Sequence, residues 1–275
     1  MTVGIVGSGA EATARMEALR ALPEETDVRL LDAVPDFAAV LEAGAGALPD
    51  VLDTFLDGVE AVFVAVPTSQ RYQVAAAAAK RGRHVFLEWP PATSARECEA
   101  VVHLAEEAGV EAAVSRPLRF QPDVRSLSPT ARADLIVLRQ TLQAKEELPW
   151  PRHLADAVDL CCALARSHSV QRVDAEMVRG PAAQPEAVAF GLRFHSGTYA
   201  QASLRRGALA SLTHLYAAGP GSTLDADLDT PCPILIQTET QAFLQALQQQ
   251  HPVPVTALDG LYAMRLLERI MERLR

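Results

Sequence analysis

The sequence opens with a short apolar run followed at once by a glycine-rich turn, and this pairing constrains the fold more than any other feature. Thr2 to Val6 is rich in β-branched residues, which is typical of a buried strand. The next residues, Gly7-Ser8-Gly9-Ala10-Glu11-Ala12, form a GxGxxA pattern. In such a pattern the first glycine permits a tight turn, the second lets the backbone approach a diphosphate, and the small third residue allows close helix–strand packing. We therefore predict a βαβ unit with a phosphate-binding helix N-terminus.

The remainder of residues 1–117 alternates short β-branched runs with alanine-rich stretches of helical periodicity. This alternation is typical of a parallel sheet that is covered by helices on both faces. It predicts a Rossmann-type α/β domain over residues 1–117. The expected strands are Val3–Val6, Val28–Leu31, Val62–Val66, His84–Leu87 and Glu111–Val114, and the expected helices are Ala10–Ala21, Phe37–Ala43, Gln70–Arg81 and Ser94–Ala108.

Residues 118–275 have a different rhythm and are predicted to form a second domain. The full length of 275 residues fits two domains of roughly 150 residues each. Longer strand-like runs dominate here, and His195-Ser196-Gly197 is typical of a hairpin turn. We expect an α+β domain with a largely antiparallel open sheet. Its strands are predicted at Leu135–Gln143, Val173–Val178, Ala187–Phe194 and Thr198–Leu204, and its helices at His153–Ala165, Thr238–Gln249 and Leu258–Leu274.

An acidic residue at the end of the second predicted strand completes a cofactor signal. Asp32 follows Gly9 at about the 20-residue offset expected of the carboxylate that binds an adenine-ribose 2′-hydroxyl. A carboxylate at this position repels a 2′-phosphate, so NAD is favoured over NADP. The alternative is a structural turn together with an unrelated surface aspartate.

Composition excludes several partners and sites. Lys+Arg is 25 against Asp+Glu 34, and the net charge of −9 disfavours nucleic acid and anionic membranes. The four cysteines show no metal-ligand spacing, so neither a metal site nor a disulfide framework is expected and a cytoplasmic location is favoured. No apolar run approaches the roughly 18 residues of a membrane span.

Three N-terminal segments together resemble the Gfo/Idh/MocA oxidoreductases, the family of glucose–fructose oxidoreductase and inositol dehydrogenase. They are Thr2 to Ala12, Val64 to Thr68 and Gly82 to Pro90, and Arg119-Phe120-Gln121-Pro122 and Gln241 to Leu247 extend the likeness. The resemblance implies nicotinamide-dependent hydride transfer on a sugar, cyclitol or related hydroxy or carbonyl compound. It also implies a homodimer or higher homo-oligomer formed through the second-domain sheet. The implied cofactor-binding residues are Gly7, Ser8, Gly9, Ala10, Asp32, Val66, Thr68 and Glu88.

The sequence departs from the family at both catalytic motifs. The family's Glu-Lys-Pro is Glu88-Trp89-Pro90 here, and an indole cannot carry the charge of the missing amine or relay a proton. The chain has only two lysines, Lys80 and Lys145. Lys145 is a candidate substitute amine, although its two glutamate neighbours are more typical of a solvated loop.

The second departure lies on the helix predicted at residues 153–165. Asp156 stands where the family's acid/base histidine is expected, and His153 precedes it by one helical turn. Asp159 follows one turn later, and a buried pair of carboxylates raises one pKa toward a value useful for proton transfer. His153 and Asp156 are therefore the candidate catalytic residues. The alternative is that these residues only cap and solvate a helix start.

Two functions remain open from the sequence. The first is a divergent oxidoreductase that handles protons through Asp156 and His153. The second is a catalytically inactive NAD-binding sensor or partner subunit of the same fold, which the two departures favour. We prefer the enzyme, because a changed site can serve a changed chemistry.

Overall fold

The computed structural model describes residues 1–22, 26–31, 50–127, 132–143, 150–180, 185–208 and 212–275. These residues divide into two compact units. The first comprises Met1–Arg116 and Cys232–Leu261, and the second comprises Pro117–Pro231 and Tyr262–Arg275.

The first unit contains a five-stranded, wholly parallel sheet in the order β2-β1-β3-β4-β5. Its central strand β3 is buried at every residue, as expected where helices cover both faces. The Rossmann-type fold predicted from the alternating pattern is thus confirmed. The strands are Thr2–Val6 (β1), Asp27–Leu31 (β2), Ala61–Val64 (β3), His84–Leu87 (β4) and Ala112–Val114 (β5), and the helices are Ala10–Arg20 (α1), Asp50–Asp57 (α2), Thr68–Lys80 (α3) and Ala95–Ala108 (α4).

Helix α2 was not expected, whereas the helix predicted at Phe37–Ala43 lies outside the described residues.

Helix α4 begins and ends with residues that are typical of helix termini. The hydroxyl oxygen of Ser94 accepts a hydrogen bond from the backbone N–H of Glu97, and Gly109 closes the helix in the left-handed region.

The second unit contains a six-stranded mixed sheet in the order β11-β10-β6-β9-β8-β7, in which β6 and β9 are parallel and the other described neighbours antiparallel. The predicted largely antiparallel sheet is confirmed. Its strands are Leu135–Gln143 (β6), Val170–Arg179 (β7), Pro185–Phe194 (β8), Tyr199–Ala208 (β9), Leu212–Gly219 (β10) and Ser222–Asp227 (β11), accompanied by the 3₁₀ turn Pro117–Phe120 and the helices Pro122–Ser126 (α5) and Trp150–Ala165 (α6).

The hairpin between β8 and β9 turns at the three residues predicted for it. The backbone N–H of Gly197 donates to the carbonyl oxygen of Phe194 at 3.0 Å, and Gly197 has a φ of 92°. Strands β10 and β11 were not predicted, because the alanines of one and the aspartates of the other have low strand propensity. Pairing with β6 and with each other stabilises them.

The last two helices are Cys232–Gln248 (α7) and Ala257–Arg273 (α8). A single boundary after residue 117 assigns α7 to the second domain, whereas α7 packs in the first unit. The Phe243 ring lies 5.5 Å from the Phe63 ring and 5.1 Å from the Phe86 ring, between ring centroids. These aromatic contacts bury α7 against the parallel sheet. No helix in the described part of the chain is long and apolar enough to cross a bilayer.

Candidate functional site

The glycine loop between β1 and α1 has the backbone geometry that its two glycines predict. Gly7 has a φ of 132°, and its N–H donates to the carbonyl oxygen of Leu31 at 3.0 Å. A Cβ added at Gly7 would lie 2.3 Å from the carbonyl oxygen of Ala65, so only glycine fits there. Gly9 has a φ of 91°, and a Cβ added at Gly9 would meet nothing within 4 Å. Gly7 therefore serves the packing of the loop, while Gly9 leaves open space beside it.

The N-terminus of α1 at this loop has the character of an anion site. Gly9 is the N-cap residue, and no side chain caps the first turn. The first backbone N–H groups of a helix lack intrahelical acceptors, and the helix dipole places partial positive charge at this end. Ser8, Gly9 and Ala10 are all exposed. The residues present therefore fit the diphosphate of a dinucleotide.

The other predicted cofactor residues have mixed placements. Val66 is buried in the loop after β3, and its carbonyl oxygen accepts a hydrogen bond from Arg71 Nε at 2.9 Å. Thr68 is half-buried at the first residue of α3. Asp32 lies outside the described residues, as does Lys145.

Glu88 binds a buried arginine that sequence analysis did not identify. Arg15 Nε lies 2.5 Å from Glu88 Oε1, and Arg15 Nη2 lies 3.3 Å from Glu88 Oε2. Arg15 also donates to Glu239 Oε2 at 2.7 Å. Both carboxylate oxygens of Glu88 are thus engaged inside the first unit, which gives this side chain a structural role. Arg15 makes further hydrogen bonds to the hydroxyl oxygens of Ser115 and Thr240.

Burial and charge oppose each other in this cluster. Burial disfavours the charged form of Arg15, but the two carboxylates outweigh it and raise the pKa of Arg15. Burial also raises the pKa of Glu239, despite the adjacent guanidinium. The four elements involved are distant in sequence, so no local motif marks the cluster. The one available signal was Arg15 itself, a charged residue one turn after the inward-facing Ala12 on α1.

Trp89 occupies the position where the family resemblance places an amine, and a cation packs against it. Trp89 is 5% exposed, and the Trp89–Pro90 peptide bond is cis. The Arg116 guanidinium carbon lies 3.4 Å from the centroid of the Trp89 ring, which is a close cation–π contact. The backbone N–H of Arg116 donates to Glu239 Oε1. Arg116 brings positive charge to this position, but a guanidinium stays protonated near neutral pH and cannot act as a base.

In the second unit, helix α6 carries the candidate catalytic residues. His153 and Asp156 are half-buried on it. Asp159, one turn later, is buried and forms a bidentate ion pair with Arg119, at 2.8 Å for Nε–Oδ2 and 2.7 Å for Nη2–Oδ1. Asp159 is thereby paired with Arg119 of the Arg-Phe-Gln-Pro segment. The neighbouring Cys161 is buried, and burial raises the pKa of its thiol to about 12.

Comparison with known proteins relates residues 1–115 to a known family. Residues 1–115 match the sequence model of the Gfo/Idh/MocA oxidoreductase family, described as an NAD-binding Rossmann fold. The resemblance drawn from the N-terminal motifs is confirmed over these residues. The chain is also 27% identical, over 202 residues, to 4-carboxy-2-hydroxymuconate-6-semialdehyde dehydrogenase from Sphingobium sp.. That match covers 66% of this chain and 63% of the Sphingobium protein's length.

Solved structures extend the likeness in fold to the whole chain. UDP-N-acetylglucosamine 3-dehydrogenase from Acidithiobacillus ferrooxidans superposes with a TM-score of 0.79 at 18% identity, covering 100% of this chain and 97% of that one. Scyllo-inositol dehydrogenase from Lactobacillus casei, solved with NAD(H) and scyllo-inositol, gives a TM-score of 0.79 at 17% identity, covering 100% and 96%. At these identities the likeness establishes a shared fold.

Proposed function

We propose that this chain, whose residues 1–115 belong to the Gfo/Idh/MocA oxidoreductase family, is an NAD-dependent oxidoreductase that acts on CH–OH groups. Its substrate class is a sugar, a cyclitol or a related hydroxy or carbonyl compound. The observation that carries the proposal is the Gly7–Gly9 loop, which opens onto an uncapped helix N-terminus. The dehydrogenase activities named for the relatives from Sphingobium, Acidithiobacillus and Lactobacillus support it.

We assign NAD binding to residues at the carboxyl ends of the parallel strands. Gly7, Ser8, Gly9 and Ala10 hold the diphosphate through backbone N–H groups, and Asp32 binds the adenine ribose. Val66 and Thr68 border the same edge of the sheet, where Val66 contributes a buried side chain. When bound, the nicotinamide ring accepts or supplies a hydride. NADP is the less favoured cofactor, because the Asp32 carboxylate repels a 2′-phosphate.

Proton transfer must accompany the hydride, because oxidation of an alcohol also releases its hydroxyl proton. We assign this task to Asp156, with His153 one turn away on α6. A carboxylate or a neutral imidazole accepts such a proton when it lies within hydrogen-bond reach. The Arg116 guanidinium beside Trp89 is positively charged, but it stays protonated and does not relay protons.

A second function is favoured by the side chains found at the two catalytic motifs. Trp89 replaces an amine with an indole, and Asp159 is engaged by Arg119. A chain that binds NAD without hydride transfer, as a sensor or partner subunit, is consistent with both observations. Turnover measurements separate this candidate from the enzyme.

Cofactor binding is tested by titrating NADH and NADPH into the purified protein by calorimetry. We expect saturable NADH binding, weaker NADPH binding, and a loss of NADH affinity in Asp32→Ala. Absence of saturable binding, or an unchanged affinity in the variant, contradicts the cofactor assignment.

Catalysis is tested by following NADH absorbance across a panel of carbonyl compounds, and NAD reduction across the corresponding polyols and sugars. We expect Asp156→Ala to abolish turnover while NADH affinity is retained. Asp174→Ala, which removes an exposed carboxylate of β7, is the matched control. Turnover that is unaffected in Asp156→Ala removes this residue from the mechanism, and absence of turnover on any substrate favours the sensor.

We also propose a homo-oligomer formed through the open face of the six-stranded sheet, in a cytoplasmic setting. The sheet carries exposed apolar side chains, among them Val178 of the edge strand β7 and Leu212 of β10. Sedimentation velocity at micromolar concentration is expected to give a dimer or a larger species. A monomer at that concentration contradicts the assembly.

A further inference from the structure

One buried arginine ties together three segments at the carboxyl edge of the parallel sheet. Arg71 lies in the first turns of α3 and is 3% exposed. Its Nε donates to the carbonyl oxygen of Val66 at 2.9 Å, and its Nη1 donates to the carbonyl oxygen of Pro90 at 2.7 Å. Its Nη2 donates to the carboxylate of Glu11. Each edge of the planar guanidinium is thus used by a different segment.

The three partners follow three neighbouring strands. Glu11 is in the first turn of α1 after β1, Val66 follows β3, and Pro90 follows β4. In open parallel sheets, ligands bind outside the carboxyl ends of the strands. Arg71 therefore sets the relative positions of the segments that border the proposed dinucleotide site.

The ion pair of Arg71 with Glu11 also places a positive charge beside a carboxylate of the phosphate loop. Glu11 is 29% exposed on its side chain and belongs to the same first turn of α1 whose N–H groups face the diphosphate site. A carboxylate there interacts favourably with the helix dipole but repels a bound diphosphate. The Arg71 guanidinium, in direct contact with Glu11, offsets that repulsion.

We propose that Arg71 is a positioning residue for the dinucleotide. It fixes the relative positions of the Val66, Pro90 and Glu11 segments, and it neutralises the charge of Glu11 beside the diphosphate. This inference rests on the proposed function. Arg71 acts through these three partners, and no contact of its own with the cofactor is required.

The test measures NADH affinity of the full chain by fluorescence titration at low and high salt. We expect Arg71→Met to weaken NADH binding about tenfold, because three hydrogen bonds are lost and the Glu11 charge is exposed. In Arg71→Met/Glu11→Gln, part of the affinity returns because the repulsive charge is gone. Glu11→Gln alone is expected to tighten NADH binding by about twofold to fivefold at low salt, with the gain reduced at high salt.

Arg81→Met is the matched control. Arg81 follows the other end of α3, is partly exposed and pairs with two carboxylates, Asp53 and Asp57. It is expected to leave NADH affinity unchanged. Thermal unfolding of each variant identifies any that does not fold. If Arg71→Met does not fold, Glu11→Gln tests the proposal instead, because it alters a partly exposed side chain.

The outcomes are distinct. Wild-type protein that fails to bind NADH overturns the proposed function and the inference with it. Wild-type protein that binds NADH, with equal affinity in folded Arg71→Met, overturns the inference alone. A Glu11→Gln variant that binds more weakly at low salt, or a double variant no better than Arg71→Met, overturns the charge role of the pair.

Discussion

At the scale of single residues, Arg15 shows how strongly one buried charge depends on its partners. The guanidinium is almost fully buried between Glu88 and Glu239, and its Cζ also lies 4.3 Å from the Phe86 ring centroid. A buried ion cluster contributes little net stability as a whole, but removal of one member leaves the others charged and unsolvated. The contribution of Arg15 is thus evident only when it is removed.

We expect Arg15→Met to lower the free energy of unfolding by about 3–5 kcal/mol, because two buried carboxylates lose their counter-ion. Chemical denaturation monitored by circular dichroism gives this value. The control Arg81→Met breaks partly exposed ion pairs and is expected to cost about 1 kcal/mol or less. Equal losses of unfolding free energy in Arg15→Met and Arg81→Met contradict the importance of burial for the Arg15 ion pairs.

The two loop glycines are expected to separate stability from cofactor affinity. In Gly7→Ala the new Cβ meets backbone of Ala65, so the melting temperature falls strongly. In Gly9→Ala the Cβ enters open space, so the melting temperature falls less while the methyl group obstructs the diphosphate. Thermal unfolding and NADH titration of both variants check this. A Gly9→Ala variant with full NADH affinity contradicts the assignment of the open space beside Gly9 to the diphosphate.

At the scale of elements, the side chain at the start of β4 bonds to the segment before β5. His84 Nδ1 accepts a hydrogen bond from the backbone N–H of Glu111 at 3.0 Å, which requires an unprotonated Nδ1. Burial lowers the pKa of His84 below the ordinary value of 6.5, and the carboxylates of Glu111 and Glu60 oppose this shift only in part. The folded protein therefore binds this proton at a lower pH than the unfolded chain does.

Stability linked to His84 is consequently present above about pH 6.5 and is lost as the pH falls through the folded-state pKa. We expect the melting temperature to drop between pH 7.5 and 5.5, and to drop less in His84→Asn, whose amide oxygen accepts the same hydrogen bond without titrating. His251→Asn, an exposed histidine variant, serves as control. An equal drop in wild type and His84→Asn excludes His84 as the cause.

At the scale of the whole molecule, the first unit is built from two separate stretches of chain. Helix α7 supplies Phe243 to the aromatic cluster with Phe63 and Phe86, and it supplies Glu239 to Arg15. Residues 1–116 alone would expose the apolar surface that α7 covers. The cofactor-binding unit is therefore completed only after the chain has passed through the second unit.

We expect a fragment of residues 1–116 to lack a cooperative thermal transition. The same fragment joined through a flexible Gly/Ser linker to residues 232–261 is expected to unfold cooperatively and to bind NADH, because the aromatic cluster and the Arg15 pairs are restored. Calorimetry and NADH fluorescence compare the two fragments. Cooperative unfolding and equal NADH affinity in the shorter fragment contradict the role assigned to α7.

The sequence by itself determined the features that arise from neighbouring residues. Local propensities and periodicities were enough to predict the Gly7–Gly9 turn, the alternation of strands and helices, and the hairpin at His195–Gly197. The boundaries of most strands and helices differ from the prediction by only a few residues.

Tertiary structure alone decided the partners of the charged residues. The pairing of Glu88 with Arg15, of Asp159 with Arg119 and of Arg71 with Glu11 joins residues 40 to 73 positions apart. The return of α7 to the first unit and the pairing of β10 with β6 are equally non-local. Burial and ion pairing depend on which surfaces the folded chain brings together, and that information is absent from any short stretch of sequence.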